Sequence, residues 1–64
     1  MCESKAIILR NGEEETIMDD VVLLERIDHR YVLYRIDGRK VELPEGYRLL
    51  RIDFLKHRIY FKAD

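Results

Sequence analysis

The chain has 64 residues and contains little of what usually stabilises so small a protein. Its only cysteine is Cys2, which excludes an internal disulfide, and no cysteine and histidine residues have the spacing of a zinc finger. A single core below roughly 70–80 residues rarely supplies more than ~3–5 kcal/mol of net stability. We therefore expect one domain, residues 1–64, that buries additional apolar surface by forming a homodimer.

Several functional classes are also excluded. No apolar run approaches the roughly 18 residues of a membrane span, and the first residues do not resemble a signal peptide. Because a single free thiol is typical of a reducing compartment, we expect a soluble, cytoplasmic protein. There is no Gly-rich phosphate loop and no Ser/His/Asp set, and a Cys2–His57 dyad would need a cleft that 64 residues scarcely provide. We do not expect an enzyme.

The amino-acid composition is that of a globular chain, and its charge is distributed unevenly along the sequence. Hydrophobic residues make up 47% of the sequence, far more than a disordered chain contains. The net charge is −1, but residues 1–29 carry −5 and residues 30–64 carry +4. Such asymmetry is typical of a nucleic-acid-binding face, or of two complementary faces that meet in the fold or across a dimer.

Turn signals recur at short, even intervals, and the segments between them are rich in Val, Ile, Leu and Tyr. Asn11-Gly12 and Asp37-Gly38 favour two-residue hairpin turns. This spacing predicts an all-β fold, a small SH3-like barrel of five to seven short antiparallel strands. The predicted turns are RNGE at 10–13, MDDV at 18–21, DHRY at 28–31, IDGR at 36–39, LPEGY at 43–47 and LKHR at 55–58.

Two segments have special patterns. YRLLRIDFLKH places Leu50 and Phe54 at helical spacing, but Leu50, Ile52 and Phe54 also alternate with charged residues, which favours a strand through 47–53. The segments AIIL and VVLL have no polar side at all. A short strand that is apolar on both faces suits a barrel pressed against a partner, which is a second argument for a homodimer.

Cys2 is the strongest candidate for a functional residue. A thiolate is a good ligand for soft metals, and the backbone nitrogens at a chain start lie beside it. If Met1 is removed, the amine and thiolate of Cys2 form one chelate ring; if it stays, the Met1 amine, the Cys2 amide and the thiolate are three consecutive donors. Two such ends at a dimer axis suit square-planar Ni(II), although thiolates also favour Zn and Cu(I). The alternative is that Cys2 is a small apolar residue opening the first strand.

Other potential ligands are weaker. His29 and His57 fall in predicted turns without a metal-binding spacing, and we expect them to be solvent-exposed. The run Glu13-Glu14-Glu15 is typical of a solvated strand start. Asp19 and Asp20, as neighbours on a strand, would point to opposite sides and could not easily share an ion.

Binding of single-stranded RNA is the alternative function. Small β-barrels bind single strands through stacked aromatic rings and a basic groove, and the second half of the chain interleaves both residue types. The slight negative net charge and the lack of an RRM, KH or cold-shock signature argue against it. The interleaved residues are Arg30, Tyr31, Tyr34, Arg35, Arg39, Lys40, Tyr47 and Arg48.

The whole chain also resembles a known family. MCESKA at the start, NGEEETIMDDV, the central IDGRKVEL and the closing RLLRIDFLKHRIYF are similar to the CooT family of small nickel-binding proteins, which are linked to maturation of the nickel enzyme carbon monoxide dehydrogenase. The resemblance implies an SH3-like barrel, a homodimer and Ni(II) bound through Cys2. It implies a metallochaperone that stores nickel or delivers it to such an enzyme or its maturation factors. It gives no role to either histidine.

Overall fold

The computed structural model describes residues 3–63, which form six β-strands and contain no α-helix. The strands are β1 (Ser4–Arg10), β2 (Glu13–Ile27), β3 (Arg30–Arg35), β4 (Lys40–Glu42), β5 (Tyr47–Asp53) and β6 (Arg58–Ala63). This confirms the predicted all-β class and the strand number. No helix in the described part of the chain is long and apolar enough to cross a membrane.

Most turns lie where the local sequence predicts them. Asn11 and Gly12 join β1 to β2 with φ angles of 54° and 80°, the left-handed conformations that a tight hairpin requires. Asp28 has a φ of 57° in the turn from β2 to β3. Aspartate and asparagine tolerate this region because their short side chains can hydrogen-bond locally.

The turn predicted for MDDV at 18–21 is wrong, because these residues lie inside β2. This strand runs for 15 residues, with Asp20 at a φ of 55°. Its first part pairs with β1 and its second part with β3, and the register shifts close to Val21 in both pairings. The aspartate pair therefore marks a bulge that bends one long strand, which is a known role of an extra residue in a sheet.

The six strands form one curled sheet in the order β4-β3-β2-β1-β6-β5. The edge strands β4 and β5 are joined by residues 43–46 alone, a link that spans at most about 18 Å. A flat sheet of six strands would separate its edges by about 24 Å. The sheet must therefore curl into a small, partly closed barrel. All neighbouring strands are antiparallel except β1 and β6, which are parallel, so the prediction of a wholly antiparallel sheet is wrong at this one pair.

The core lies on the concave side of the sheet. Phe61 and Leu33 are fully buried there, and the ring of Tyr31 packs edge-on against Phe61 with centroids 5.4 Å apart. The predicted strand 47–53 is confirmed as β5, whose pairing with β6 shifts register around Leu50. The core cluster consists of Ala6, Ile8, Val21, Leu33, Leu43, Ile59 and Phe61.

The convex side of β1 and β6 is also covered within the single chain. Ile7 and Tyr60 are paired in the sheet, and both are buried. The guanidinium carbon of Arg51 lies 4.3 Å from the centroid of the Tyr60 ring, and Arg58 Nη1 donates to the Tyr60 hydroxyl at 3.4 Å. Arg51 and Arg58 therefore cover Tyr60 on this side, where Ile7 is also buried within the single chain.

Candidate functional site

Cys2 lies outside the described residues, so the structure does not place its thiol. The first described strand begins two residues later, at Ser4. The backbone N–H of Lys5 donates to the carbonyl of His57 at 2.9 Å, and Lys5 pairs with Arg58 in the sheet. The beginning of β1 is thus fixed beside the turn between β5 and β6.

An apolar groove opens at this end of the barrel. It has a volume of about 370 Å³ and lies between the middle of β2 and the region of β5 and its following turn. Ser4 forms part of its wall. We call it the apolar groove; its lining residues are Ser4, Val21, Val22, Leu23, Leu24, Ile52, Phe54, His57 and Ile59.

Large apolar side chains are exposed on and next to this groove. Phe54 is 80% exposed and Leu55 88% exposed, both in the turn between β5 and β6. Burying such side chains is favourable by roughly 1.5–3 kcal/mol each, so a monomer that leaves them in water forgoes that stabilisation. Together with Val22, Leu23 and Ile52 they form the apolar surface, as we call this set below.

The two histidines occupy turns, as predicted, but their surroundings differ. His29 is exposed in the turn between β2 and β3, whereas His57 is half-buried and lines the apolar groove. The expectation that both are exposed is therefore wrong for His57. Within residues 3–63, no three His, Cys, Asp or Glu side chains are grouped to hold a metal ion.

Asp19 and Asp20 do not point to opposite sides, because the bulge at Asp20 changes the alternation of β2. Both contact the guanidinium of Arg35: Asp19 accepts from Nη1, and Asp20 Oδ2 lies 3.6 Å from Nη2. Arg35 Nε also donates to Asp37 Oδ2 at 3.1 Å. This arrangement ties the bend of β2 to the turn between β3 and β4, and its acids are engaged by protein cations. The run Glu13–Glu15 is exposed at the start of β2, as expected.

Two carboxylate contacts shift side-chain pKa values. The backbone N–H of Arg39 and the Arg35 guanidinium lower the pKa of Asp37 despite its partial desolvation. Arg35 has a raised pKa, first because it donates to Asp37 and also because it donates to Asp19. The hydroxyl of Tyr34 donates to Glu25 Oε1 at 2.9 Å, and this hydrogen bond, burial and the nearby charges raise the pKa of Tyr34.

A second groove lies near the turn between β2 and β3 and the start of β5. Its volume is about 540 Å³. Among the described residues that line it, none is acidic. We call it the basic groove; its lining residues are Arg26, His29, Tyr31, Gly46, Tyr47, Arg48 and Leu49.

The basic and aromatic residues that favoured RNA binding do not all lie together in the structure. Arg30 lies 3.7 Å from Glu42, and Arg35 and Arg39 both contact Asp37. These arginines are neutralised by carboxylates of the same chain. Only part of the predicted set lines the basic groove, namely Tyr31, Tyr47 and Arg48.

Sequence reasoning overlooked two features. Arg26 belongs to the acidic half of the chain, yet it lines the basic groove. Phe54 was considered for its periodicity, and neither Phe54 nor Leu55 was predicted to form an exposed surface. The sequence signal was the pair of adjacent bulky apolar residues at a predicted turn, since exposed apolar groups that lie together mark interaction surfaces.

Comparisons with known proteins agree with this architecture. The crystal structure of a protein described provisionally as CooT from Carboxydothermus hydrogenoformans is similar, with a TM-score of 0.87, 24% sequence identity and 98% of each chain covered. At this identity the match supports the fold alone. No curated protein matches the sequence. A family model described as "CO dehydrogenase accessory protein CooT" matches residues 1–62. The chain therefore belongs to the CooT family of CO dehydrogenase accessory proteins.

Proposed function

We propose that this protein binds Ni(II) as a homodimer, through the Cys2 thiolate of each subunit, and stores the ion or delivers it to a nickel enzyme such as carbon monoxide dehydrogenase. Membership of the CooT family supports a role in the maturation of that enzyme. The observation that carries the proposal is the apolar surface, which adjoins the start of β1 only two residues after Cys2.

The donor atoms available near Cys2 fit Ni(II). A thiolate with an adjacent amine or deprotonated amide nitrogen offers one sulfur and one or two nitrogens from a single chain end. Two chain ends supply the four donors that a square-planar d⁸ ion takes. One ion per dimer is the expected stoichiometry, and neither subunit alone completes the site.

The apolar surface supports the homodimer that such a shared site requires. In a two-fold dimer the same patch of each subunit forms the interface, so an apolar surface is buried against its own copy. Phe54 and Leu55 supply bulky anchors, and the groove beside them offers space for the partner's side chains. Since Ser4 lines the same groove, pairing through it brings the two β1 starts to one interface.

A site at a chain start is suited to transferring its ion. The nickel is cargo in this role, and its ligands can be replaced one at a time by those of a client. Thiol and amine must lose protons to bind, so we expect nickel affinity to fall as the pH is lowered.

The decisive experiment is a titration of Ni(II) into wild type and Cys2→Ser, with native mass spectrometry to count subunits and ions. We expect one Ni(II) per two chains for wild type and loss of this complex for Cys2→Ser. A tag left on the N-terminus should also weaken binding, because it replaces the terminal amine.

The matched control is His29→Gln, which removes a potential ligand from the basic groove and should bind nickel as wild type does. Equal affinity of Cys2→Ser and wild type would refute the proposal. The mass of the mature chain shows whether Met1 is retained and therefore which nitrogens are available.

A further inference from the structure

Strand β5 has one side of its backbone without a partner strand among residues 3–63. It lies at one end of the sheet, where it pairs with β6 alone. A register shift between Leu49 and Arg51 interrupts this pairing, so the regular part of the edge is short. An open edge can pair with a strand of another chain, and a bulge limits where such pairing occurs. We call residues 51–53 the β5 edge.

The core side of the β5 edge is apolar. Ile52 pairs with the buried Ile59 in the sheet, and both line the apolar groove. Ile52 is nevertheless 39% exposed, because no described strand lies beyond it in the sheet. A second strand placed beside the β5 edge would extend this apolar row and bury the Ile52 side chain.

The other side of the β5 edge has charges of both signs. Arg51 pairs with Tyr60 and packs on its ring, and Asp53 pairs with Arg58. The backbone N–H of Lys56 donates to Asp53 Oδ1 at 2.9 Å, which fixes the carboxylate. Because Arg51 and Asp53 are two positions apart on a strand, they share one side of the sheet. An antiparallel copy of the same strand can therefore place an acid opposite each arginine.

We infer that two copies of this chain pair antiparallel along their β5 edges, with Ile52 of one copy opposite Ile52 of the other. This pairing rests on the homodimer proposed above and specifies the backbone that forms it. Arg51 then lies opposite Asp53 of the other copy, twice in each dimer. Centring the pairing on Arg51 or on Asp53 would place like charges opposite each other, which is destabilising. A one-residue shift would place apolar residues on the charged side.

The β5 edge is continuous with the proposed interface. Phe54 follows it directly in the chain, and Ser4 lines the same groove as Ile52. Pairing here brings both grooves, and with them both starts of β1, to one interface. The other edge strand, β4, fits less well, because it has three residues and none of them lines the apolar groove. Its Glu42 already lies 3.7 Å from Arg30.

Disulfide cross-linking tests the register. We expect Ile52→Cys, in a Cys2→Ser background, to form a covalent dimer on oxidation with diamide, detected by intact mass. Directly opposite residues of antiparallel strands have Cα atoms about 4.5–5.5 Å apart, a separation that a disulfide spans. The matched control is Val41→Cys in the same background. Val41 is 41% exposed on β4, close to the exposure of Ile52, and should cross-link about tenfold more slowly or less.

Charge reversal tests the same register without a new thiol. Arg51→Asp and Asp53→Arg should each raise the dimer dissociation constant about tenfold or more, because each places like charges opposite each other twice. An equal mixture of the two variants should form a mixed dimer, which native mass spectrometry distinguishes by mass. Mixing cannot repair a subunit that fails to fold, so recovery of the dimer reports the pairing itself.

A wild type that remains monomeric would overturn this inference. So would cross-linking through Val41 as fast as through Ile52, or mixtures of the folded charge variants that associate no better than either alone. These measurements are separate from nickel binding, since the cross-linking background lacks the Cys2 thiol. One Ni(II) per two wild-type chains without the Ile52→Cys cross-link would support the nickel site and overturn the β5 pairing, whereas the reverse result would support the pairing alone.

Discussion

The backbone N–H of Lys5 donates to the carbonyl of His57 at 2.9 Å, which fixes the first strand against the turn that carries Phe54 and Leu55. Two features that are far apart in the sequence thereby become one surface. The position of Cys2 just before this strand gives the proposed nickel site its connection to the proposed dimer interface.

The first prediction concerns this interface. Phe54→Asp/Leu55→Asp should raise the dimer dissociation constant by tenfold or more, because each apolar side chain left in water forgoes roughly 1.5–3 kcal/mol. Sedimentation equilibrium measures the change, and native mass spectrometry should show the two-chain nickel complex disappearing with it.

Ile27→Asp is the matched control for this variant. Ile27 is 47% exposed at the far end of β2 and does not line the apolar groove, so its replacement should leave the dimer intact. Dimers of unchanged affinity in the Phe54/Leu55 variant would show that another surface mediates association.

The two phenylalanines provide a matched pair for stability. Phe61→Ala should cost about 3–5 kcal/mol through lost burial and a cavity, which is comparable to the whole stability expected of so small a core. Phe54→Ala should change monomer stability by no more than about 0.5 kcal/mol, because this ring is 80% exposed. Denaturant unfolding at low protein concentration compares them, and similar losses in both would contradict the described core.

Asp37 should contribute to acid sensitivity. Its pKa is lowered in the folded chain, so its stabilising effect is present above the ordinary pKa of 3.8 and is lost as the pH falls through the folded value. We therefore expect Asp37→Asn to make the melting temperature less dependent on pH below about 4. Thermal unfolding between neutral and acidic pH measures this slope.

Asp28→Asn serves as the control for Asp37. It removes one carboxylate from an exposed turn and retains a side chain that tolerates positive φ. An acid profile flattened equally by both changes would indicate a general effect of net charge.

Tyr34 should titrate at higher pH than a free tyrosine. Its raised pKa stabilises the folded state below the ordinary value of 10.0, and this contribution is lost as the pH rises through the folded pKa. Glu25→Gln should lower the pKa of Tyr34, because both the hydrogen bond to a carboxylate and the adjacent negative charge are removed. Ultraviolet titration of tyrosinate measures the change, with Tyr34→Phe identifying the signal; no shift in Glu25→Gln would contradict the contact.

Local sequence signals predicted much of the fold because short strands and tight turns depend on neighbouring residues. Asn11 and Gly12 specify their hairpin through backbone conformation alone, and the alternation around Ile52 correctly favoured a strand over a helix. The turn predicted at Asp20 was wrong, because an aspartate with positive φ occurs both in turns and in bulges.

Long-range pairing was less predictable. Whether an arginine is neutralised or available depends on which carboxylate the fold brings beside it. Arg35 contacts Asp19 of β2 and Asp37 of the turn that follows β3. Arg26 belongs to the acidic half of the sequence, yet in the fold it lines the same groove as Tyr47. The net charges of the two halves of the sequence could not distinguish these two cases.

The parallel pairing of β1 with β6 has a consequence for biosynthesis. Residues 11–57 separate the two strands, so the ribosome must complete β6 before β1 gains its second neighbour. Local hairpins, including that of β1 with β2, can form earlier, but the strand that follows Cys2 gains its pairing with β6 last. Nascent chains should therefore complete the apolar groove beside the start of β1 only once β6 has been synthesised, because Ile59 of β6 lines that groove together with Ser4.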